Sequence, residues 1–448
     1  MEAPMTSKRL VVISFDCLSA LDFPFLQELP NFREYLKGSA YCKNVETIYP
    51  SVTYPCHATI VTGKFPKNHG VINNTLIQPG KESPDWYWHR RNIKGTTLYD
   101  EAKKAGKKTA ALLWPVTAKA DIDYNMPEIF ANRPWHNQIA VSLLNGSPAF
   151  QLDMNRRFGH IRKGLNQPEL DDFVLESTVQ TIKDKKPELL LVHFTDLDTQ
   201  RHYHGFDSNE AKDAIKRHDI RLGRIISALK ESQLYDDTIL VLLGDHSALD
   251  ESKVIKPNVF LKGTQMIKID KNNHIEAWEV YCKSCDGSAY IYVKDHRTDV
   301  ITSLKSKLDL LVQDENNGID KVYTGAEASK LGADPACHFM LEARKGYYFS
   351  ESHHGNFIEE IKKEDVMARK YTLACHGYSP KKEGYATVFM AKGKGIRPDT
   401  AIPSMHLVDE GPTLAHILGL DLGKTDGRII EELFSGPINP ERMGGKIQ

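Results

Sequence analysis

Asp16, Asp198, His202, Asp245, His246 and His376 lie far apart in the chain, and all six are residues that hold divalent cations. Imidazole nitrogens and carboxylate oxygens are the ligands of catalytic zinc sites that keep one position open for substrate. Two such ions a few ångströms apart can grip both the attacking and the leaving oxygen of a phosphoryl transfer. Each residue alone has a plainer explanation. An Asp at a strand end is commonly a loop or capping residue, and Asp198-x-x-x-His202 is a common solvated helix face. Asp245-His246 is a weak dipeptide, and His376 alone would serve as a loop histidine. Their joint occurrence is what carries weight. Asp16, the Asp198/His202 pair and the Asp245/His246 pair each follow the C-terminal end of an expected strand, where open α/β sheets bind ligands. His376 sits in a loop ahead of another strand and fits that pattern least.

The stretch Tyr49-Pro50-Ser51-Val52-Thr53-Tyr54-Pro55-Cys56-His57 offers a hydroxyl to such ions. Pro55 is suited to the first turn of a helix, so Thr53 falls at or near the N-cap. Unpaired backbone N–H groups there attract anions, phosphate above all. A threonine hydroxyl is a poor nucleophile until its pKa is lowered, which a metal ion can do. For this segment alone, an ordinary threonine cap explains the residues equally well. Ser51 is a rival hydroxyl that lies ahead of the expected helix start.

The elements that must position these groups are legible as an alternation. Residues 9–15 form a short β-branched run with little alternation, the pattern of a buried parallel strand, and end at Asp16. Residues 98–105 read as a helix closed by Gly106, and 108–114 as a strand. Residues 116–165 read as an irregular surface excursion. A helix over 170–183 leads to a strand over 189–195. Ser208 caps a long helix with the apolar stripe Ile215, Leu222, Ile225, Ile226 and Leu229. Residues 238–243 form another strand, ending at Gly244-Asp245-His246. The rhythm weakens over 256–370, which reads as an inserted smaller α+β unit with few long helices. It resumes with a strand over 384–391 and a helix over 412–418. The expectation is an α/β core over 1–255 and 371–448, its sheet covered by helices on both faces.

The chain has 448 residues, 41% hydrophobic and 26% charged, as in ordinary globular proteins. Lys+Arg 58 against Asp+Glu 59 gives a formal charge of -1. That balance offers no electrostatic case for nucleic acid or an anionic membrane as partner. The apolar run 10–15 is too short for a signal-peptide core, and no stretch approaches a transmembrane helix. Seven scattered cysteines, an odd number, suit a reducing cytosol better than a disulfide scaffold. Cys282 and Cys285 make a lone CxxC and read as incidental thiols. His353, His354, His406 and the run Trp86 to Arg91 have loop or packing roles as their simplest explanation. Asp409 and Asp426 read as cap and turn residues.

The ordered set resembles the two-metal site of the alkaline phosphatase superfamily. Within it, the chain resembles the nucleotide pyrophosphatase/phosphodiesterase family, the type I phosphodiesterases. The resemblance rests on Val12-Ile13-Ser14-Phe15-Asp16, on Tyr49 to His57 with Thr62-Gly63, Pro66 and His69-Gly70, and on Leu113-Trp114-Pro115. It continues through Asp198, His202 and Gly205, then Gly244-Asp245-His246, then His376-Gly377-Tyr378. It implies an alkaline phosphatase-like core in which Asp198, His202 and His376 hold one zinc. Asp16, Asp245 and His246 would hold the other, although such ligands also accept other divalent metals. Thr53 would bind the second ion as an alkoxide and attack phosphorus, giving a phosphothreonine intermediate. Family members often carry asparagine where this chain has Cys56, and glycine where it has Ser247. Cys56, a weak donor, and Tyr54, which could stack on a base, are the expected substrate contacts.

The resemblance implies a zinc-dependent hydrolase of phosphodiester or pyrophosphate bonds in small nucleotide-type substrates, and the cysteine usage points to a cytoplasmic location. Two alternatives stand beside it. One is a phosphonate or phosphomonoester hydrolase on the same site, since phosphonoacetate hydrolases in related branches also use a metal-bound threonine. The other is a metal-stabilised binding protein without turnover.

Overall fold

The computed structural model describes residues 8–81 and 83–436. Its centre is a nine-stranded sheet. The strands β1 (Arg9–Phe15), β2 (Ala40–Glu46), β3 (Thr109–Leu112), β4 (Tyr124–Met126), β5 (Leu189–Phe194) and β6 (Thr238–Leu243) belong to it. Across the sheet the order is Thr400–Ile402, β2, Thr387–Lys392, β6, β1, β5, β3, β4, and the ninth strand, Met405–His406, also pairs with β2. The Thr387–Lys392 strand runs antiparallel to both neighbours. β1 pairs in parallel with β5 on one side and β6 on the other.

Alternation along β1 explains why the sheet is covered twice. Leu10 and Val12 face a core shared with the helices Thr53–Thr62, Leu98–Lys104 and Glu410–Ile417. Val11, Ile13 and Phe15 face the opposite core, with the helices Glu169–Lys185 and Asn209–Glu231. β5 and β6 split their side chains in the same way. Both faces are apolar, so the strands read as continuous hydrophobic runs. The chain has the alkaline phosphatase-like α/β fold expected of it.

Several elements differ from expectation. Residues 116–165 are not merely irregular. They carry β4, which pairs in parallel with β3, and the helices Gln138–Asn145 and Pro148–Phe158. Asn137 caps the first of these and Pro148 starts the second, local signals hidden among other polar residues. Ser208 caps its helix as expected, accepting from the Ala211 amide at 3.2 Å. The strand expected over 384–391 is Thr387–Lys392, shorter at its start than its sequence suggests.

Residues 256–370 contain a four-stranded antiparallel sheet and the 16-residue helix Thr298–Gln313, longer than foreseen. The strand Leu249–Ile255, just ahead of this region, pairs with Gly346–Phe349 and Ile358–Glu360 inside it. It also pairs with Ala374–Cys375 beyond it. Cys282 and Cys285 belong to two different cores, and all seven cysteines are unpaired. Among the described residues, no helix is long and apolar enough to cross a membrane.

The loop after β5 is held by charge. Asp196, fully buried, accepts from Arg217 Nε at 2.6 Å and Arg221 Nη1 at 3.0 Å. Burial alone would raise its pKa. The hydrogen bond from Arg217 and the neighbouring charges outweigh that and bring it down to about 2. Asp196→Asn leaves buried Arg221 short of a counter-charge and should cost about 3 kcal/mol. Because the folded pKa is depressed, this contribution is present above about pH 4 and lost as pH falls towards 2. Denaturant titrations at both ends of that window should therefore show the two proteins converging in acid.

Candidate active site

The three central strands end side by side. Phe15 pairs with Phe194 and Ser14 with Leu243, so the residues that follow β1, β5 and β6 emerge at one edge. Asp16 follows β1. The helix Asp196–His204 begins two residues past β5 and carries Asp198 and His202 one turn apart on one face. Asp245 and His246 follow β6 through Gly244. A side chain at Gly244 would come within 2.2 Å of the Leu18 carbonyl, so only glycine fits there.

His376 reaches the same place by another route. Ala374 and Cys375 pair with Asp250 and Leu249, which continue the chain from His246. His202 Nδ1 lies 2.8 Å from the Ala374 carbonyl. Gly377 donates its amide to the Ser51 carbonyl at 3.0 Å, and Ser51 Oγ donates to the Tyr378 carbonyl at 3.0 Å. Ser51, the rival hydroxyl, thus ties two loops together. Gly377 has φ +82°, and a Cβ there would stand 1.7 Å from the Cys285 carbonyl. Gly377→Ala should therefore cost about 2 kcal/mol or more. It should also lower metal retention by moving His376, a pairing that calorimetry with metal analysis would register.

Two groups of donors result. Asp198, His202 and His376 offer ligand atoms within 4.8 Å of one another, and so do Asp16, Asp245 and His246. His202 Nε2 is 3.1 Å from Asp198 Oδ2, and His246 Nε2 lies 3.3 Å from Asp16 Oδ1 and 3.2 Å from Asp245 Oδ2. The His246 and His376 rings sit 4.2 Å apart and link the groups. Thr53 Oγ1 is 3.3 Å from His246 Nε2. The structure thus brings Asp16, Thr53, Asp198, His202, Asp245, His246 and His376 into one cluster.

The cluster fits cations. Asp16 Oδ1, Asp198 Oδ1, Asp245 Oδ2 and His376 Nδ1 are buried with no hydrogen-bond partner. Buried polar atoms are nearly always satisfied, so four together mark a place built for something else. Three carboxylates converge where water is excluded. Burial, reinforced by Asp245 and Asp198, pushes Asp16 up to about 8, and burial takes Asp245 to about 7. Burial holds His376 and His246 low, so both are neutral, the form that binds metal. Burial would lower His202 too, but Asp198 beside it raises it to about 9.

Tyr54 and Cys56 are placed differently from expectation. Both lie in the Thr53–Thr62 helix, packed into two separate apolar cores. Tyr54 is fully buried, its ring edge-on to Trp86 at 5.2 Å, and shows no open face for a base. Cys56 is fully buried in the core beneath the sheet, 3.6 Å from Thr47 Oγ1. Thr53 itself is the first residue of its helix and Val52 is the cap. A different side chain serves the helix start. Asn74 Oδ1 accepts from the Tyr54 amide at 2.9 Å, one residue from Thr53.

Other neighbours carried no signal in the sequence. His193 Nε2 lies 3.2 Å from Asp16 Oδ2, and its Nδ1 lies 3.0 Å from Glu128 Oε2. His193 is the one polar residue of β5, hidden in an apolar strand. His57 Nδ1 lies 2.8 Å from the Thr53 carbonyl and 3.6 Å from Asp245 Oδ2. Asp286, from the smaller unit, lies 3.6 Å from His376 Nδ1. The lesser candidates are accounted for elsewhere. Asp409 accepts from the His406 amide and Asp426 from the Phe65 amide, as cap and turn residues do.

The family model of type I phosphodiesterase / nucleotide pyrophosphatase matches residues 10–379. The chain is similar to human ectonucleotide pyrophosphatase/phosphodiesterase family member 1, 28% identical over 256 residues, covering 54% of this chain and 24% of that protein. It is 22% identical to human family member 5 over 422 residues, covering 92% of this chain and 75% of that protein. Venom phosphodiesterase 2 of Crotalus adamanteus is 27% identical over 229 residues, covering 49% of this chain and 24% of that protein. The matches thus span about a quarter of two of these relatives and three quarters of the third. Murine ectonucleotide pyrophosphatase / phosphodiesterase 5 shares the fold, with a TM-score of 0.65 at 20% identity, over 95% of this chain and 100% of that one. An inactive threonine-to-alanine variant of that murine protein, in complex with AMP, aligns with a TM-score of 0.64 at 20% identity, over 95% and 100%.

Proposed function

The chain belongs to the type I phosphodiesterase / nucleotide pyrophosphatase family of the alkaline phosphatase superfamily, and we propose that it hydrolyses phosphodiester or pyrophosphate bonds of nucleotide-type substrates through a phosphorylated Thr53. The observation that carries this is the position of Thr53 Oγ1 at the edge of two three-donor groups, 3.3 Å from His246 Nε2. Asp198, His202 and His376 would hold one zinc ion, and Asp16, Asp245 and His246 the other. Bound there, the ions supply the positive charge that lowers the hydroxyl pKa and offsets charge on the phosphoryl oxygens.

The remaining work falls to the side chains. Thr53 Oγ loses its proton to solvent and forms a bond to phosphorus as the bond to the leaving-group oxygen breaks, and the leaving oxygen takes up a proton from water. Water then cleaves the Oγ–P bond, restoring the hydroxyl and releasing the nucleoside monophosphate. The start of the Thr53–Thr62 helix aims positive dipole at the phosphoryl oxygens. Asn74 spends its carbonyl oxygen on the Tyr54 amide and so fixes the start of that helix. His193, braced by Glu128, orients Asp16. A binding protein without turnover would have Cys56 in place of a phosphate contact; its burial against Thr47 Oγ1 at 3.6 Å speaks against that role. That the murine relative bearing a Thr-to-Ala change is inactive and binds AMP supports a nucleotide substrate and a threonine nucleophile here.

We propose a cytosolic location, on the support of seven unpaired thiols. The discriminating assay offers the purified, zinc-loaded protein a nitrophenyl nucleotide diester, nitrophenyl phosphate and phosphonoacetate. The diester should be turned over at least about tenfold more efficiently, by kcat/KM, than either alternative. A preference for the monoester or the phosphonate would overturn the substrate class.

A further inference from the structure

Between the two donor groups lies a side chain that neither uses. Cys17 Sγ, with ligand atoms of Asp198 and His246, forms a third set within 4.8 Å of one another. Asp198 belongs to one cation group and His246 to the other, so the thiol stands between them. Cys17 is fully buried. Its φ of +66° lies in the left-handed region, which favours glycine. The backbone is fixed there from both sides. The Cys17 amide donates to Asp245 Oδ1 at 3.1 Å, and its carbonyl accepts from Arg201. Arg201 Nη1 also lies 3.8 Å from Sγ, while its Nη2 donates to Asp22 Oδ1 at 2.6 Å. The bond to Asp245 therefore ties the Cys17 backbone to a residue of the second donor group. Asp198, the carboxylate of this third set, has its Oδ1 buried with no hydrogen-bond partner.

We propose that Cys17 is a further ligand of the cation centre, binding through its sulfur alongside Asp198 and His246. The S–H bond breaks, the proton passes to solvent, and an Sγ–metal bond forms. A soft thiolate among hard carboxylates shifts the centre towards zinc, cadmium or cobalt and away from magnesium or manganese. The inference rests on the two-cation function proposed above. It adds a sulfur donor to the oxygen and nitrogen ligands of that function.

The test uses the full chain loaded with cobalt(II) or cadmium(II) alone. Wild-type protein should show thiolate-to-metal charge-transfer absorption, which Cys17→Ser should lose. The other six cysteines belong to no group of three or more donors among the described residues, and loss of the band in Cys17→Ser assigns it to Cys17. Cys17→Gly suits the left-handed backbone and should lose the band while keeping the fold. In both variants the preference for cadmium over manganese should fall by at least the roughly tenfold that loss of even a supporting group costs. Two bound ions with no thiolate band in the wild type, or a band that survives Cys17→Ser, would overturn the sulfur ligand and leave the two-cation function standing. Failure of wild-type protein to bind any of these ions would overturn both.

Discussion

Thr53→Ala should lower turnover of a nucleotide diester by roughly 10,000-fold or more, the scale seen when a covalent nucleophile is removed. It should leave metal content close to wild type, because six other side chains supply the two donor groups. The fold should tolerate the change. Thr53 is the first residue of its helix, Val52 provides the cap, and Asn74 satisfies the next amide. Thr53→Ser restores a hydroxyl and should recover part of the rate. A radiolabelled phosphate donor should leave acid-stable label on wild-type protein caught mid-reaction and none on the alanine variant. Turnover at the wild-type rate in Thr53→Ala would remove the hydroxyl from the chemistry and leave Ser51, bound to the Tyr378 carbonyl, no better placed.

Chelation should abolish activity, and zinc should restore it together with a pH-dependent gain in stability. In the ion-free protein, burial keeps Asp16 protonated up to about 8 and Asp245 up to about 7, against 3.8 for an unfolded aspartate. Between these limits the folded chain binds more protons than the unfolded one, so its stability falls as pH rises from about 4 to about 8. His202, raised to about 9 by Asp198 against the pull of burial, acts in the same direction as pH approaches that value. Cations bind the deprotonated ligands, so their affinity rises across the same window. The zinc-induced increase in Tm should therefore be several-fold larger at pH 8 than at pH 5.5. The accompanying gain in unfolding free energy should approach about 2.7 kcal/mol per site when free zinc is a hundredfold above its Kd. Calorimetry of ion-free and loaded protein at the two pH values measures this. An equal shift at both would mean that Asp16 and Asp245 are not displaced from their protons by the metal.

The sequence by itself determined the sheet and most of the site. Short apolar runs ending in Asp16, before Asp198, and in Gly244-Asp245 announce parallel strands with ligands at their ends, because a strand buried on both faces must be apolar throughout and must place its polar residues past its end. The spacing of Asp198 and His202 follows from one turn of helix, and so was readable too. What surrounds the site was decided by tertiary structure. Tyr54 and Cys56 are close to Thr53 in sequence but are sealed into two separate cores by packing, whereas Asn74 is distant in sequence and meets the neighbouring amide in space. His193 looked like one residue of an apolar strand until Asp16 and Glu128 closed on it from two other segments. His376 owes its place to a strand pairing and a glycine packed against Cys285. Cys17 has its position from Asp245 and Arg201. Local sequence encodes periodicity and strand ends, but which distant side chains meet there depends on how the strands are ordered and what the inserted sheet brings back to them.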